Sequence, residues 1–311
     1  MYKHKIFIDG SAGTTGLRIG SRIADRSNVT LLTLADDERK DVKKRREMLN
    51  AADVVFLCLP DDAAREAVSL IENPDVTVID ASTAHRTLPD WAYGLPELSP
   101  AFEEKIRNSK RIAVPGCHAS GFIALVYPLI EEGALGKDAL LTCHSLTGYS
   151  GGGKKMIAEY ESGDRDPLLK APRQYGISQS HKHLKEMTLI TGLDTSPVFC
   201  PIVADFYSGM EVTVPLFSEM LNGFTIRDVK DIYKAKYSGR IVRYSENDDE
   251  NGFLSAGAYS GKDGMTVSVY GNEQRILLTA RYDNLGKGAS GAAVECLNIV
   301  TGADRTLGLE L

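Results

Sequence analysis

The first 116 residues of this 311-residue chain contain five short apolar runs, which are separated by polar, helix-like segments. Continuous apolar runs of this length are typical of strands buried on both faces of a sheet. Strands that alternate with helices favour a parallel, doubly wound α/β (Rossmann) sheet. We predict its strands at KIFID (5–9), VTLLTL (29–34), DVVFLCL (53–59), VTVIDAS (76–82) and RIAVPG (111–116).

The pattern changes after about residue 138, where the apolar runs become longer and partly alternating. Alternation is typical of sheets with one solvent-facing side. We predict a second, α+β domain over 118–285, with a mixed, mostly antiparallel sheet and a helix near 224–237. A helix within 286–311 is expected to complete the first domain, 1–117. The strands of the second domain are predicted at 139–149, 198–216, 264–271 and 275–282.

A glycine-rich turn, DGSAGTTG (9–16), joins the first predicted strand to a helix-like segment. Gly10, Gly13 and Gly16 follow the spacing G-x-x-G-x-x-G. Glycines here let main-chain amides approach a pyrophosphate at a helix N-terminus, where the helix dipole favours anions. The turn therefore predicts a dinucleotide site, and the alternative is a tight turn without a ligand.

The end of the second predicted strand, TLADDERK (33–40), bears on which dinucleotide binds. An acid at the strand tip would bind the ribose of NAD, whereas a nearby Arg suits the 2'-phosphate of NADP. The tip itself is not acidic and Arg39 follows closely, which favours NADP. Asp36 or Asp37 in the acidic role would favour NAD instead.

The segment VPGCHASGF (114–122) places Cys117 at the carboxyl edge of the predicted sheet, where doubly wound folds bind ligands. A helix is predicted to begin near Cys117, and Pro128 is expected to kink or end it. The helix dipole favours a thiolate in the first turn, and the first-turn amides can bind an oxyanion. Cys117 is therefore a candidate nucleophile. The alternative is that Cys117 is a small buried side chain. We interpret the other four cysteines in this way: Cys58, Cys143, Cys200 and Cys296.

A nucleophilic cysteine needs a base, and QSHKHLKE (179–186) supplies two candidates, His181 and His183. An H-x-H pair is also a metal motif, but no further ligand follows at a suitable spacing, so we predict no metal. His118 is expected to point away from the cysteine if it is helical, and His4 and His85 are expected to be structural or exposed.

Composition argues against several classes of function. A net charge of -6 and a pI near 5.6 argue against a nucleic-acid partner, and the basic cluster Arg39–Arg46 is predicted to be a solvated helix face. No apolar stretch approaches the ~18 residues of a membrane span, and the start MYKHKIFIDG leaves no room for a signal peptide. Five cysteines without paired spacing suggest neither disulfides nor zinc, so we expect a cytoplasmic protein.

A second glycine-rich stretch, TGYSGGGKK (147–155), lacks the Walker spacing, because Lys154 is followed by Lys155 rather than Ser or Thr. It predicts either a main-chain anion site or a flexible surface loop.

Taken together, these motifs resemble the short type of N-acetyl-gamma-glutamyl-phosphate reductase, in the aspartate-semialdehyde dehydrogenase-like superfamily. In the long type, Tyr-Pro follows the cysteine where this chain has His118-Ala119. The resembling segments occur in the family's order. They are GSAGTTG, DASTAHR (80–86), YGLPEL (93–98), VPGCHASGF, SGGGKK, HKHLKE and DNLGKGASGAAV (283–294).

The resemblance implies a phosphorylating aldehyde dehydrogenase of arginine biosynthesis, an oxidoreductase that uses NADP to reduce N-acetyl-gamma-glutamyl phosphate to N-acetylglutamate 5-semialdehyde. Cys117 would form a thioester, His181 would be the acid-base partner with His183 as the alternative, and Arg86 is a candidate for binding a substrate anion. Members are typically homo-oligomers, here a dimer or tetramer. The implied cofactor-binding residues are Gly10, Ser11, Ala12, Gly13, Thr14, Thr15, Gly16, Arg39, Pro60, Ser82, Gly151 and Asn284.

Other functions share parts of this pattern. Aspartate-semialdehyde dehydrogenase and a lysine-pathway acyl-phosphate reductase would differ only in the substrate pocket. A non-phosphorylating aldehyde dehydrogenase would pass its thioester to water and would not depend on inorganic phosphate. A non-catalytic nucleotide sensor would bind NADPH without turnover.

Overall fold

The computed structural model describes residues 3–311 and divides the chain into two compact units, each with its own sheet. The first unit runs to Pro115 and takes in Ala289–Leu309. The second comprises Gly116–Gly288 and Glu310–Leu311. Among residues 3–311, none of the helices combines the length and apolar character that a membrane span requires.

Six strands form the sheet of the first unit: β1 (His4–Asp9), β2 (Val29–Leu32), β3 (Val54–Leu57), β4 (Thr77–Asp80), β5 (Ala92–Tyr93) and β6 (Arg111–Ala113). All pairs are parallel, in the order β2-β1-β3-β4-β6-β5, so the predicted doubly wound α/β sheet is confirmed. Strand order reverses between β1 and β3, which is where such sheets bind ligands. The two-residue β5 was not predicted, because it is too short to leave an apolar pattern.

The helices of the first unit are α1 (Thr14–Ile23), α2 (Val42–Ala51), α3 (Asp61–Ser69), α4 (Pro100–Asn108) and α9 (Gly291–Val300). The sheet separates two buried apolar clusters. Ile6 and Ile8 of β1 lie in the cluster that includes α1 and α9, whereas Phe7 lies in the other, with Leu49 of α2. Because successive side chains of a strand point to opposite faces, burial of both faces requires the continuous apolar runs seen in the sequence.

Seven strands form the sheet of the second unit: β7 (Thr142–Gly148), β8 (Arg173–Gln174), β9 (Val198–Ala204), β10 (Met210–Phe217), β11 (Val242–Tyr244), β12 (Met265–Gly271) and β13 (Arg275–Tyr282). Their order is β11-β12-β13-β10-β7-β9-β8, and only β7/β9 and β11/β12 pair in parallel. The predicted mixed, mostly antiparallel sheet is confirmed. The apolar stretch 198–216 is two strands, because a turn through Ser208 and Gly209 interrupts it and β7 lies between them.

The second unit also contains four α-helices: α5 (Cys117–Glu131), α6 (Gly153–Glu161), α7 (His183–Thr191) and α8 (Ile226–Lys236). The helix α5 packs on β10 and β13 and runs past Pro128. Proline has no N–H to donate to the carbonyl four residues earlier, that of Ala124. The hydroxyl of Tyr237 donates to this oxygen at 2.7 Å, so a neighbouring chain segment satisfies the acceptor that proline leaves open.

Candidate active site

The glycine-rich turn of the first unit requires glycine at two positions. Gly10 has a left-handed φ of +88°, and a Cβ there would lie 2.3 Å from the carbonyl oxygen of Cys58. A Cβ on Gly16 would lie 2.5 Å from the carbonyl oxygen of Gly10. Gly13 is the N-cap of α1, and no acidic residue occupies the first turn of that helix. The turn is therefore close-packed behind a helix N-terminus that can attract an anion.

A cleft of about 790 Å³ opens beside this turn. Its lining includes Gly10, Ser11 and Ala12 on one side and Arg39 and Lys40 on another. The Arg39 guanidinium pairs with the Asp36 carboxylate at 2.6 Å, and Asp36 is largely exposed. An exposed pair of this kind is weak, so Arg39 can exchange its partner for an incoming anion.

Arg45 corrects the prediction that the basic cluster 39–46 is uniformly solvated. Arg45 is 8% exposed, and its Nη2 donates to the Asp9 carboxylate at 2.9 Å. Its Nη1 donates to the Glu66 carboxylate, also at 2.9 Å. Burial raises the pKa of Asp9, and the Arg45 guanidinium opposes that rise. The pair ties α2 to the end of β1, directly before Gly10, because the helix turns this one basic residue inward.

The segment after β4 is organised by the buried Asp80. Its carboxylate accepts from the main-chain N–H of Ser82 at 2.8 Å and from the Ser82 hydroxyl at 2.7 Å. The same group lies 2.6 Å from Nδ1 of His85, whose ring stacks on Trp91. His85 is therefore structural, and Ser82 is held at the carboxyl edge of the sheet.

Arg86 is 8% exposed and donates to main-chain oxygens. Its Nε donates to the carbonyl of Val114 at 2.8 Å, and its Nη2 donates to that of Ala81 at 3.0 Å. Part of this guanidinium thus supports the strand that leads toward the cysteine. Pro60, another predicted cofactor-binding residue, is exposed directly before α3.

In the second unit, Cys117 is the first residue of α5, with Gly116 as the N-cap and no acidic residue in the first turn. Its side chain is half-buried. The Tyr282 hydroxyl donates to the Cys117 carbonyl at 2.5 Å and accepts from the N–H of Gly121 at 3.0 Å. The predicted helix start is therefore correct, and the dipole of α5 favours a thiolate at this sulfur.

The turn before the cysteine is held by Glu186, which is 1% exposed. One carboxylate oxygen of Glu186 accepts from the N–H of Gly116 at 3.0 Å. The other lies 4.0 Å from Nε2 of the buried His183. Sequence reasoning did not single out Glu186, although it is the last residue of the segment HKHLKE.

The two predicted bases lie together at the start of α7. The rings of His181 and His183 are 4.6 Å apart and nearly perpendicular. The main-chain N–H of His183 donates to Nδ1 of His181 at 3.2 Å, so neutral His181 carries its proton on Nε2. His181 is half-buried, whereas His183 is 6% exposed.

His118 belongs to the same cluster of imidazoles. It is 2% exposed, and its ring lies 5.9 Å from that of His181 and 5.6 Å from that of His183. Its ring nitrogens have their own partners, the hydroxyls of Ser145 and Tyr175, each at 2.6 Å. No sequence pattern indicated these contacts, because they join residues 27 and 57 positions apart.

The motif DNLGKGA forms a π-helical turn, Gly286–Ser290, that packs on the cysteine. A Cβ on Gly288 would lie 3.0 Å from the Cβ of Cys117. The buried carboxylate of Asp283 holds this turn by accepting from the N–H groups of Leu285 and Gly286. Glycine at 288 therefore permits the close approach of this turn to Cys117, the candidate nucleophile.

The predicted cofactor residues of the second unit, Gly151 and Asn284, lie side by side. The Asn284 amide donates to the Ser150 hydroxyl at 3.0 Å and accepts from the N–H of Gly209 at 2.9 Å. A Cβ on Gly151 would lie 3.4 Å from Nδ2 of Asn284. The SGGGKK loop is thus anchored to the DNLGKGA motif.

Across residues 3–311, no three His, Cys, Asp or Glu side chains are grouped so that they could hold a metal ion.

Comparison with known proteins follows the same division of the chain. Residues 5–108 match the family model of the semialdehyde dehydrogenase NAD binding domain. Residues 117–284 match that of the semialdehyde dehydrogenase dimerisation domain.

Curated relatives match over nearly the whole chain. An N-acetyl-gamma-glutamyl-phosphate reductase of a Nostoc species is 44% identical, over 99% of this chain and 100% of that protein. The enzymes of the same name from Pseudomonas putida and Sinorhizobium medicae are each 42% identical over 97% of this chain, and over 98% and 100% of those proteins.

Solved structures with the same fold are more distant in sequence. The aspartate semialdehyde dehydrogenase II of Vibrio cholerae, complexed with ASA, has a TM-score of 0.73 at 15% identity, over 97% of this chain and 99% of that one. The aspartate semialdehyde dehydrogenase of Candida albicans, solved with NADP, has a TM-score of 0.70 at 16% identity, over 96% of this chain and 98% of that one. At such identities the likeness concerns the fold.

Proposed function

The chain belongs to the N-acetyl-gamma-glutamyl-phosphate reductase family, and we propose that it reduces N-acetyl-gamma-glutamyl phosphate to N-acetylglutamate 5-semialdehyde with NADPH, the third step of arginine biosynthesis. The observation that carries the proposal is Cys117 at the first position of α5, in the same unit as the histidine pair that opens α7. A helix N-terminus, a thiol and imidazoles are the groups that acyl transfer to sulfur requires.

The first unit is proposed to hold NADP. The turn Gly10–Gly16 brings main-chain amides and a helix N-terminus to the edge of the cleft, which suits a pyrophosphate. Arg39 lines the cleft and pairs with the largely exposed Asp36, so it is assigned to the 2'-phosphate. Ser82 and Pro60, and in the second unit Gly151 and Asn284, are assigned to the same cofactor by analogy with the family.

Cys117 is assigned as the nucleophile. Its thiolate attacks the carbonyl carbon of the acyl phosphate, a carbon–sulfur bond forms, and the bond to the phosphate oxygen breaks with its electron pair on phosphate. First-turn amides of a helix have no intrahelical acceptors, so those of α5 are proposed to stabilise the oxyanion. NADPH, when bound, would supply the hydride for the thioester carbon. Collapse of the resulting oxyanion then breaks the carbon–sulfur bond, which releases the aldehyde and restores the thiolate.

His181, rather than His183, is proposed as the acid-base partner. His183 is buried with Glu186 beside its Nε2, whereas His181 is half-buried and can exchange protons with water. Formation of the imidazolium adds a proton at Nδ1 of His181, which accepts the 3.2 Å hydrogen bond from the N–H of His183. Arg86 is proposed to bind a substrate anion. Its Nε donates to the Val114 carbonyl.

A homo-oligomer is proposed from the outer face of the second sheet. Val212 of β10 packs toward α5. Because side chains of a strand alternate between its two faces, Pro215, three positions further on, points away from that helix. Pro215 lies opposite Leu277, which is 41% exposed. Leu146 of β7 and Ile202 of β9 are paired on the same outer face and are half-buried. These apolar side chains lie on a face that also carries polar ones such as Glu211 and Thr213, and such a mixed sheet face suits a second copy of the chain.

Light scattering tests this proposal. The expected result is a dimer or tetramer for the native chain and a smaller mass for Leu277→Asp. Leu168→Asp is the control, because Leu168 is 71% exposed and lies outside the strands. An unchanged mass for Leu277→Asp would contradict this choice of surface.

The two units are proposed to be the NADP-binding domain and the catalytic, dimerising domain. The five free cysteines support a location in the reducing cytoplasm.

A substrate panel in the oxidative direction tests the function. The expected result is NADP reduction with N-acetylglutamate 5-semialdehyde that requires inorganic phosphate. Aspartate semialdehyde as the better substrate would overturn the proposal in favour of the aspartate enzyme. Turnover without phosphate would indicate a non-phosphorylating dehydrogenase, and NADPH binding without any turnover would indicate a nucleotide sensor.

A further inference from the structure

The residue that follows the nucleophile is held more tightly than a helix position requires. His118 is buried, with Nδ1 2.6 Å from the Ser145 hydroxyl and Nε2 2.6 Å from the Tyr175 hydroxyl. We propose that His118 is a positioning residue of the active site, which seats the ring of His181 through a buried Ser145–His118–Tyr175 chain. The inference rests on the proposed function for the roles of Cys117 and His181.

The chain is assembled from three separate elements. His118 lies on α5, Ser145 lies on β7 and is fully buried, and Tyr175 directly follows β8. One hydroxyl can donate to His118 and the other can accept from it, so a neutral imidazole satisfies both contacts. This arrangement leaves the ring of His118 a single orientation.

The ring of His181 is surrounded by four other rings. Its centroid lies 5.9 Å from that of His118 and 6.0 Å from that of Tyr175. It lies 4.6 Å from that of His183 and 5.2 Å from that of Phe199. Two of these four residues, His118 and Tyr175, are hydrogen-bonded to each other. This hydrogen bond fixes the rings on one side of His181.

The protonation states of the neighbouring groups also support a positioning role for His118. The titratable groups around His118 are Cys117, Tyr175, His181 and His183. Burial, together with the charge of His181, lowers the pKa of His118 to about 3. Burial raises the pKa of Tyr175, and the Cys117 thiolate adds to the rise. His118 and Tyr175 therefore stay uncharged while a positive charge forms on His181.

The pH dependence of Cys117 alkylation by iodoacetamide tests the inference, with Cys117→Ser as the blank for the other thiols. His118→Asn is expected to move the midpoint of this profile by about half a pH unit or more. It should lower kcat about tenfold or more, with KM changed by less than about threefold. In the His181→Asn background, His118→Asn should move the midpoint no further, because its effect acts through that ring.

Tyr175→Phe keeps an aromatic ring in place and is expected to move the midpoint in the same direction by a smaller amount. Tyr160→Phe is the matched control and should leave the profile unchanged. Tyr160 is 2% exposed, and its hydroxyl accepts a hydrogen bond from Arg173. Phe at this position keeps the ring and with it the apolar cluster against which Tyr175 packs.

An unmoved midpoint in His118→Asn, or an equal shift in both backgrounds, would overturn the inference. If His118→Asn does not fold, Tyr175→Phe decides, and an unmoved midpoint there also overturns it. Failure of the proposed function would appear as absent turnover of the semialdehyde, whereas the alkylation profile does not depend on the substrate.

Discussion

The Glu186 carboxylate accepts a 3.0 Å hydrogen bond from the main-chain N–H of Gly116, the residue directly before Cys117. Glu186 is buried and belongs to α7, the helix that His183 begins. One side chain therefore ties the turn before Cys117 to the helix that His183 begins. Its other carboxylate oxygen, beside His183, extends the same link to the imidazole cluster.

Removal of this carboxylate should loosen the turn that positions Cys117, the proposed nucleophile. Glu186→Ala leaves a buried N–H without its acceptor, which costs about 1–3 kcal/mol of unfolding free energy. We expect kcat to fall about tenfold or more, because misplacement of a reacting group is costly. Urea unfolding and steady-state kinetics measure both effects. Glu159→Ala, at an exposed position of α6, is the control. Native kcat in Glu186→Ala would contradict the positioning role.

Substitution of Cys117, the proposed nucleophile, should abolish turnover and leave cofactor binding intact. Cys117→Ser is expected to lower kcat by at least about a thousandfold, while the Kd for NADPH stays within about twofold, since the cleft lies in the first unit. Fluorescence titration of NADPH and the phosphate-dependent assay separate the two. Cys200→Ser, at a half-buried thiol on β9, should retain turnover. Substantial residual activity in Cys117→Ser would refute its role.

The close approach at Gly288 predicts a steric effect on the nucleophile. A Cβ there would lie 3.0 Å from the Cβ of Cys117. Gly288→Ala must therefore shift the backbone at residue 117 or at residue 288 by a few tenths of an ångström. We expect a loss of kcat of about tenfold or more and slower alkylation of Cys117. Gly163→Ala is a matched control, because its new Cβ would have no atom within 4 Å. Equal activities of the two variants would show that the contact has no catalytic consequence.

The assignment of Arg39 predicts a change in cofactor preference. A charge-assisted hydrogen bond contributes about 1.5–3 kcal/mol, so Arg39→Ala should raise the Kd for NADPH about tenfold or more and leave the Kd for NADH nearly unchanged. Arg46→Ala removes an exposed arginine of the same basic cluster, which pairs with Glu72, and should change neither Kd. A parallel loss for both cofactors would argue against a 2'-phosphate contact.

The neutral His118 predicts a pH dependence of stability. Its folded pKa is about 3, below the ordinary value of 6.5. Between these values the unfolded chain binds a proton that the folded protein does not, so unfolding free energy falls as pH falls from 6.5. The slope from this group approaches about 1.4 kcal/mol per pH unit.

Urea midpoints between about pH 5.5 and 7.5 measure this slope above the main carboxylate range. His118→Phe should flatten it, and His144→Gln should retain it, because His144 is exposed. An identical slope in wild type and His118→Phe would show that His118 titrates normally.

Several features could be predicted because they depend on neighbours in the chain. The turn Gly10–Gly16 and the helix start at Cys117 each follow from a few consecutive residues. The stretch 198–216 was predicted as one strand region, because its apolar residues outweigh the turn at Ser208 and Gly209. The buried position of Arg45 was missed, since nothing in a basic run marks the one residue whose partner, Asp9, lies 36 positions away.

The sequence by itself determined the doubly wound sheet, the nucleotide turn and the cysteine at a helix start, because hydrophobic periodicity and glycine geometry act over a few residues. Only the tertiary structure decided that Glu186 holds Gly116 and that His118 lies between Ser145 and Tyr175. These contacts join positions far apart in the chain, and a buried polar group finds its partner only when packing has brought the elements together.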